Sequence, residues 1–178
     1  MKRPPRPVRV RLSVTLLAAL LTTAVVGRVS GWRRPLVAVA LHAGLMRWAV
    51  DALPAVNPAL RQRWFRVKTW EPGLYRRLGA YRFMRLLRAV GWEDFRRDAV
   101  GFTGRREALA RLERATREAE TNHMLIGSGG LLLALGAVKR RYWDAALWQV
   151  ILVTVLHAYP VMLQRTLRAR LARGHARR

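Results

Sequence analysis

Cysteine is absent from this 178-residue chain, which excludes a disulfide framework, a thiolate zinc site, a thiol nucleophile and a palmitoylated cysteine. Acidic residues are scarce: 10 Asp and Glu stand against 34 Lys and Arg, for a net charge of +24. Lysine itself occurs only at Lys2, Lys68 and Lys139, so arginine supplies nearly all of the positive charge. A balance this basic needs an anionic counterpart, and nucleic acid or an anionic membrane leaflet is the usual one. Most catalytic signatures are missing as well. There is no Gly-x-Ser-x-Gly elbow, no glycine-rich phosphate loop before a helix, no His-Glu-x-x-His and no His followed by Asp five residues later.

What the chain does have is four apolar runs, at about 12–27, 35–53, 124–138 and 143–163. Two approach the roughly 20 residues that cross a bilayer, and the two shorter ones need snorkelling flanks or local thinning. No small-x-small cleavage site follows Val26, so the first run is expected to stay as a span. Basic residues flank these runs. Twenty-seven fall in residues 1–11, 61–117 and the tail from Arg165, against six in the loops holding Arg28, Arg33, Arg34 and Lys139, Arg140, Arg141. Counted this way, both termini and the 57–122 segment are expected in the cytoplasm. The pattern predicts an all-α integral membrane protein with about four transmembrane helices and a basic, mostly helical cytoplasmic segment between the second and third. It forms a single membrane domain over 1–178, closed by a basic tail at 165–178. A soluble nucleic-acid binder has no reason to sort its charge so, and the expected partner is membrane lipid, with no nucleic acid.

The 57–122 segment is the one stretch large enough for chemistry outside the apolar runs. It opens with the aromatic-basic Arg61 to Trp70, too short in pattern to choose between strand and extended surface segment, with Trp64 and Trp70 suited to a headgroup layer. Pro72 suits a first helical turn and Gly91 a stop, bracketing one basic amphipathic helix. Its stripe either lies in the lipid interface, with Arg76, Arg77, Arg82, Arg85 and Arg88 on phosphates, or packs on neighbours with the arginines solvated. After a turn at 101–104, Thr103 is placed to cap a third helix with Ala108, Leu112, Ala115 and Ala119 as its buried stripe.

On the polar side of that helix stand Glu120 and His123, just before the third apolar run. At three residues apart on a helix their side chains share a face, and they can trade protons with one substrate. A single Glu-x-x-His supplies only two metal ligands, so no metal is expected. Gly127-Ser128-Gly129-Gly130 falls inside the third span, where small residues favour close helix packing. Arg47 and Asp51 are spaced to pair on the second span. His42 and His157 lie deep enough that each should face the bundle interior or a wet cavity, as a helix contact or in a functional role.

Two stretches carry a resemblance to a known family. Thr116-Arg117-Glu118-Ala119-Glu120-Thr121-Asn122-His123 leads into one span, and His157-Ala158-Tyr159-Pro160-Val161-Met162-Leu163-Gln164-Arg165-Thr166-Leu167-Arg168 leaves the next. Together they resemble the glycosyl-4,4'-diaponeurosporenoate acyltransferase family, small bacterial membrane proteins with a Glu-x-x-His before one span and a Tyr-Pro-x-x-x-Gln-Arg-x-x-Arg-like exit from the last. Trp64 to Glu71 is similar to the family's aromatic-basic segment. This chain has Thr166 and Leu167 where members often read Tyr-Asn, and His157 where the family tends to an asparagine.

The resemblance implies a multi-pass enzyme of the bacterial cell membrane that moves a fatty acyl chain onto a sugar hydroxyl of a glycosylated carotenoid or similar glycolipid. It implies a lipophilic glycosylated acceptor and an acyl donor, acyl-CoA or another thioester, with no further cofactor. His123 is the expected base, because a histidine near neutral pKa suits proton removal from a hydroxyl. Glu120 is expected to orient it. Arg165 and Gln164 are expected to hold the donor's phosphates or the oxyanion. Trp70, Glu71 and His157 are expected to contact substrate. The alternative is a non-catalytic membrane protein whose basic face docks anionic lipid or partner enzymes.

Overall fold

The computed structural model describes residues 5–56, 60, 63–91 and 106–176. Among them the regular structure is helical throughout, with no strand. Four helices are long and apolar enough to cross a membrane: Arg6–Ser30, Pro35–Ala55, Ala108–Lys139 and Trp143–Arg173. Each of the four apolar runs lies within one of them. No more than 28% of any apolar window is buried inside the chain, so most of this surface needs lipid to cover it. The elements are α1 (Arg6–Ser30), α2 (Pro35–Val56), a 3₁₀ turn (Arg63–Phe65), α3 (Glu71–Arg77), α4 (Ala80–Ala89), α5 (Arg106–Lys139), α6 (Trp143–Val153), a π turn (Thr154–Ala158) and α7 (Tyr159–Ala176). They divide into two compact units, Met1–Pro58 with Thr121–Ala158 and Ala59–Glu120 with Tyr159–Arg178.

In the first unit α1 and α2 pack as a pair. Gly44 permits the approach: a Cβ there would stand 2.7 Å from the Ala19 Cβ, so a small residue is needed for the backbones to close. Gly31, at φ +90°, ends α1 and gives its N–H to the Gly27 carbonyl at 3.0 Å. In the loop that follows, Arg33 reaches Asp144 at the start of α6, with Nε and an NH2 donating to Oδ1 at 3.0 and 2.7 Å. The α1–α2 and α5–α6 loops are therefore at one end of this unit, as an even count of crossings requires. On α2, Arg47 and Asp51 form the ion pair their spacing suggests, at 2.5 Å. The π turn has a sequence cause. Pro160 has no N–H to give the Leu156 carbonyl four residues back, and its ring crowds that oxygen. A widened turn absorbs the conflict.

In the second unit the single helix expected between Pro72 and Gly91 is two helices. Pro72 does sit in the first turn of α3, and Gly91, at φ +71°, does follow α4. Between them Gly79 takes φ +85°, a left-handed conformation open to glycine without a Cβ penalty. Gly79 N–H closes α3 on the Arg76 carbonyl, and its own carbonyl receives Arg82 and Phe83 to open α4. The expected turn at 101–104 and the Thr103 cap lie outside the described residues. The buried stripe of α5 also differs. It runs Ala108, Leu112, Thr116 and Glu120, whereas Ala115 and Ala119 are only half-buried. Polar residues can occupy that stripe because arginines of α7 meet them there.

Candidate functional site

Three histidines meet in the first unit. His42 on α2 and His157 in the π turn are 1% and 2% exposed, and His42 Nδ1 lies 2.8 Å from His157 Nε2. His157 Nδ1 faces His123 Nδ1 at 3.2 Å. The other nitrogen of His42, Nε2, faces Gln149 Oε1 of α6 at 2.8 Å. The rings are strung in sequence and do not converge on a common point. Among the described residues no group of three or more His, Cys, Asp or Glu is set to hold a metal ion.

Glycines make room for this chain of rings. A Cβ on Gly130 would stand 2.6 Å from Val153 Cγ2 and 2.8 Å from His42 Cε1. One on Gly127 would stand 3.1 Å from His157 Cβ. The small-residue run in the third span therefore serves close packing, as its composition suggests. The surface it lets in is two imidazoles and a valine.

A second cluster occupies the second unit. Arg165 on α7 gives Nε to Glu71 Oε2 at 2.6 Å and an NH2 proton to Glu71 Oε1 at 2.9 Å. It gives NH1 protons to Glu120 Oε1 at 2.7 Å and the Trp64 carbonyl at 3.2 Å, and a second NH2 proton to the Arg66 carbonyl at 3.2 Å. A guanidinium has five N–H groups, and all five are engaged. Arg168 bonds the other oxygen of Glu120 and approaches Thr116 Oγ1 at 3.4 Å. Glu120 is fully buried and Glu71 nearly so; two carboxylates against two guanidiniums leave the cluster neutral. The aromatic-basic segment closes over it, with the Trp64 ring 5.6 Å from the Arg165 guanidinium and the Phe65 ring 5.8 Å from that of Arg168.

Burial by itself would raise the Glu71 carboxyl, but the bonds from Arg165, the Lys68 N–H and the Tyr75 hydroxyl outweigh it and hold Glu71 at about 2. Burial, together with the hydrogen bond to Glu71, pushes the Tyr75 phenol up to about 12. Both groups are thus locked in one state across the physiological range, Glu71 charged and Tyr75 neutral.

In the same unit a cavity of about 520 Å³ is lined by Arg76, Arg77 and Arg82 with Leu78, Gly79, Phe83, Leu86 and Tyr159. The Tyr159 hydroxyl donates to the Leu78 carbonyl at 3.0 Å and its ring stacks on Phe83 at 4.9 Å. The break at Gly79 creates the corner in which this cavity sits.

The residues expected to work together are distributed as follows. His123 is held by His157. Glu120, expected to orient His123, gives its oxygens to Arg165 and Arg168. Glu71 and Arg165 are directly joined. Both ring nitrogens of His157, expected to contact substrate, are taken up by other histidines. Gln164 is buried, and its Oε1 has no donor among the described residues. Trp70 is exposed at the start of α3, its ring 5.9 Å from Lys68 Nζ. Sequence reasoning passed over Gln149 and gave Tyr75, Thr116 and Arg168 no role in a site. A lone Gln in an apolar span and an Arg at i+3 from another were the available signals.

The family model described as glycosyl-4,4'-diaponeurosporenoate acyltransferase matches residues 61–177. That interval contains Trp70, Glu71, Glu120, His123, His157, Gln164 and Arg165. Neither a curated protein nor a solved structure matches the chain.

Proposed function

The chain belongs to the glycosyl-4,4'-diaponeurosporenoate acyltransferase family, and from that premise we propose a membrane O-acyltransferase that moves a fatty acyl chain from a thioester to a sugar hydroxyl of a glycosylated carotenoid or similar glycolipid. The family match over 61–177 carries this reading. The enzyme works in the bacterial cell membrane, with its termini and the 57–122 segment in the cytoplasm, where acyl thioesters are made.

The reaction forms a C–O bond to the acyl carbon, breaks the C–S bond and moves one proton from the hydroxyl to the departing thiolate. His123 takes that proton as the base, a role whose usual contribution is a factor of about 10² to 10⁴. Since the five donors of Arg165 are engaged internally, the phosphates of a donor such as acyl-CoA are better served by Arg76, Arg77 and Arg82. These three line one cavity, with an aromatic pair beside them. Glu120 and Glu71 hold Arg165 and Arg168 in place and keep the α7 helix seated.

Mass spectrometry of lipids and pigments from cells making wild type or His123→Ala, at equal membrane-inserted levels, tests the reading. A fatty-acylated glycolipid found only with wild type is expected, and it would name the acceptor. Equal profiles would overturn the enzyme reading. The arginine-lined cavity also suits a docking protein that holds anionic lipid; there, removing charge from Arg76, Arg77 and Arg82 abolishes function while His123→Ala leaves it intact.

A further inference from the structure

The protons along the chain of histidines are not independent. A neutral imidazole has one N–H and one lone pair, so each contact dictates the next. Gln149 offers an acceptor, Oε1, to His42 Nε2, which places the His42 proton on Nε2 and leaves Nδ1 as a lone pair. That lone pair faces His157 Nε2, which must then carry its proton there and leave its own Nδ1 bare. His123 Nδ1 supplies the proton for the last contact. At the end of the series the Nε2 of His123 remains, and it is a lone pair.

From this geometry we infer that Gln149, His42 and His157 are positioning residues: they fix the tautomer of His123 so that its Nε2 meets the acceptor hydroxyl unprotonated, and they draw off the proton it takes. The inference rests on His123 being the base of the acyl transfer proposed above. When Nε2 accepts the hydroxyl proton, Nδ1–H passes to His157 Nδ1 and His157 Nε2–H passes to His42 Nδ1. Every ring gains one proton and gives one, except His42, which ends as the cation with its Nε2–H on Gln149. The charge then stands two rings away from the reacting carbonyl. When the C–S bond breaks, the same steps run backwards and His123 Nε2–H protonates the thiolate. No proton is gained or lost over the cycle.

Reversing the Gln149 amide would reverse every tautomer and leave Nε2–H on His123, so the two arrangements are spectroscopically distinct. The test is a long-range ¹H–¹⁵N spectrum of full-length, ¹⁵N-histidine-labelled protein in detergent, with His123→Gln identifying the His123 signals. Wild type is expected to show the Nδ1–H form of His123, and Gln149→Leu to populate Nε2–H. Gln149→Glu, which can only accept, is expected to keep Nδ1–H and guards against a packing effect of leucine. In turnover, Gln149→Leu should lower kcat by about tenfold or more with little change in KM, a part of the usual contribution of a general base. A wild-type His123 that is already Nε2–H, or one that Gln149→Leu does not change, overturns the inference. If the tautomer switches as expected but His123→Ala retains acyl transfer, the base assignment fails and the proton relay with it, and only the control of the tautomer stands. If His123→Ala is inactive and the tautomer ignores Gln149, the base stands and the relay fails.

Discussion

Arg165 and Glu71 meet fork to fork, with Nε on Oε2 at 2.6 Å and NH2 on Oε1 at 2.9 Å, across 94 residues of sequence. The pair is buried, and Glu120 completes it from α5. Removing either carboxylate strands a guanidinium away from water, and breaking a buried pair in this way costs about 3–5 kcal/mol. Glu120→Ala and Glu71→Ala should therefore lower the unfolding midpoint in detergent sharply, whereas His123→Ala should not. A Glu120→Ala protein as stable as wild type would show that the cluster does not anchor α7.

Lysine in place of Arg165 keeps the charge and loses the fork. It can satisfy at most three of the five acceptors. Arg165→Lys should be destabilised nearly as much as Arg165→Ala, which chemical unfolding in detergent would measure. A lysine variant close to wild type would mean that charge alone suffices.

Stability should depend on pH at both ends of the scale through this cluster. Glu71 is held at about 2 in the folded chain against an ordinary 4.5, so its contribution is complete above about 4.5 and is lost as pH falls from there through about 2. Tyr75 runs the opposite way. Its phenol is raised from 10.0 to about 12, so its contribution is complete below about 10 and is lost as pH rises through about 12. Thermal melts across pH should show both limbs, and Glu71→Gln should flatten the acid limb.

Two adjacent glycines should answer differently to the same substitution. A Cβ on Gly130 would press on Val153 and His42, whereas nothing lies within 4 Å of one on Gly129. Gly130→Ala should cost about 1–3 kcal/mol by overpacking and should lower acyl transfer by displacing His42. Gly129→Ala should be close to neutral, or slightly stabilising in a helix. Equal behaviour of the two variants would show that the rings have slack.

Neutralising Arg76, Arg77 and Arg82 together to Gln should raise KM for the acyl donor by about tenfold or more, since each charge-assisted hydrogen bond to a phosphate is worth about 1.5–3 kcal/mol. KM for the acceptor should not change. Steady-state kinetics with each substrate varied in turn would separate the two, and an unchanged donor KM would place the phosphates elsewhere.

The sequence by itself determined the helical spans and the family, because these depend on composition, on local period and on short motifs such as Glu120 to His123 and Tyr159 to Arg168. It also placed Pro72, Gly91 and the Arg47–Asp51 pair, all of which answer to neighbours within a turn or two. Tertiary structure alone decided who partners whom over distance. Gly79 reads in sequence as one more residue of an amphipathic helix, and only its positive φ reveals the corner. Glu120 reads as the companion of His123 three residues on, but its charge is answered by Arg165 and Arg168 from another helix. The alignment of His42, His157 and Gln149 has no sequence signature, since a hydrogen bond between side chains more than 100 residues apart is fixed by helix packing and leaves no period to read.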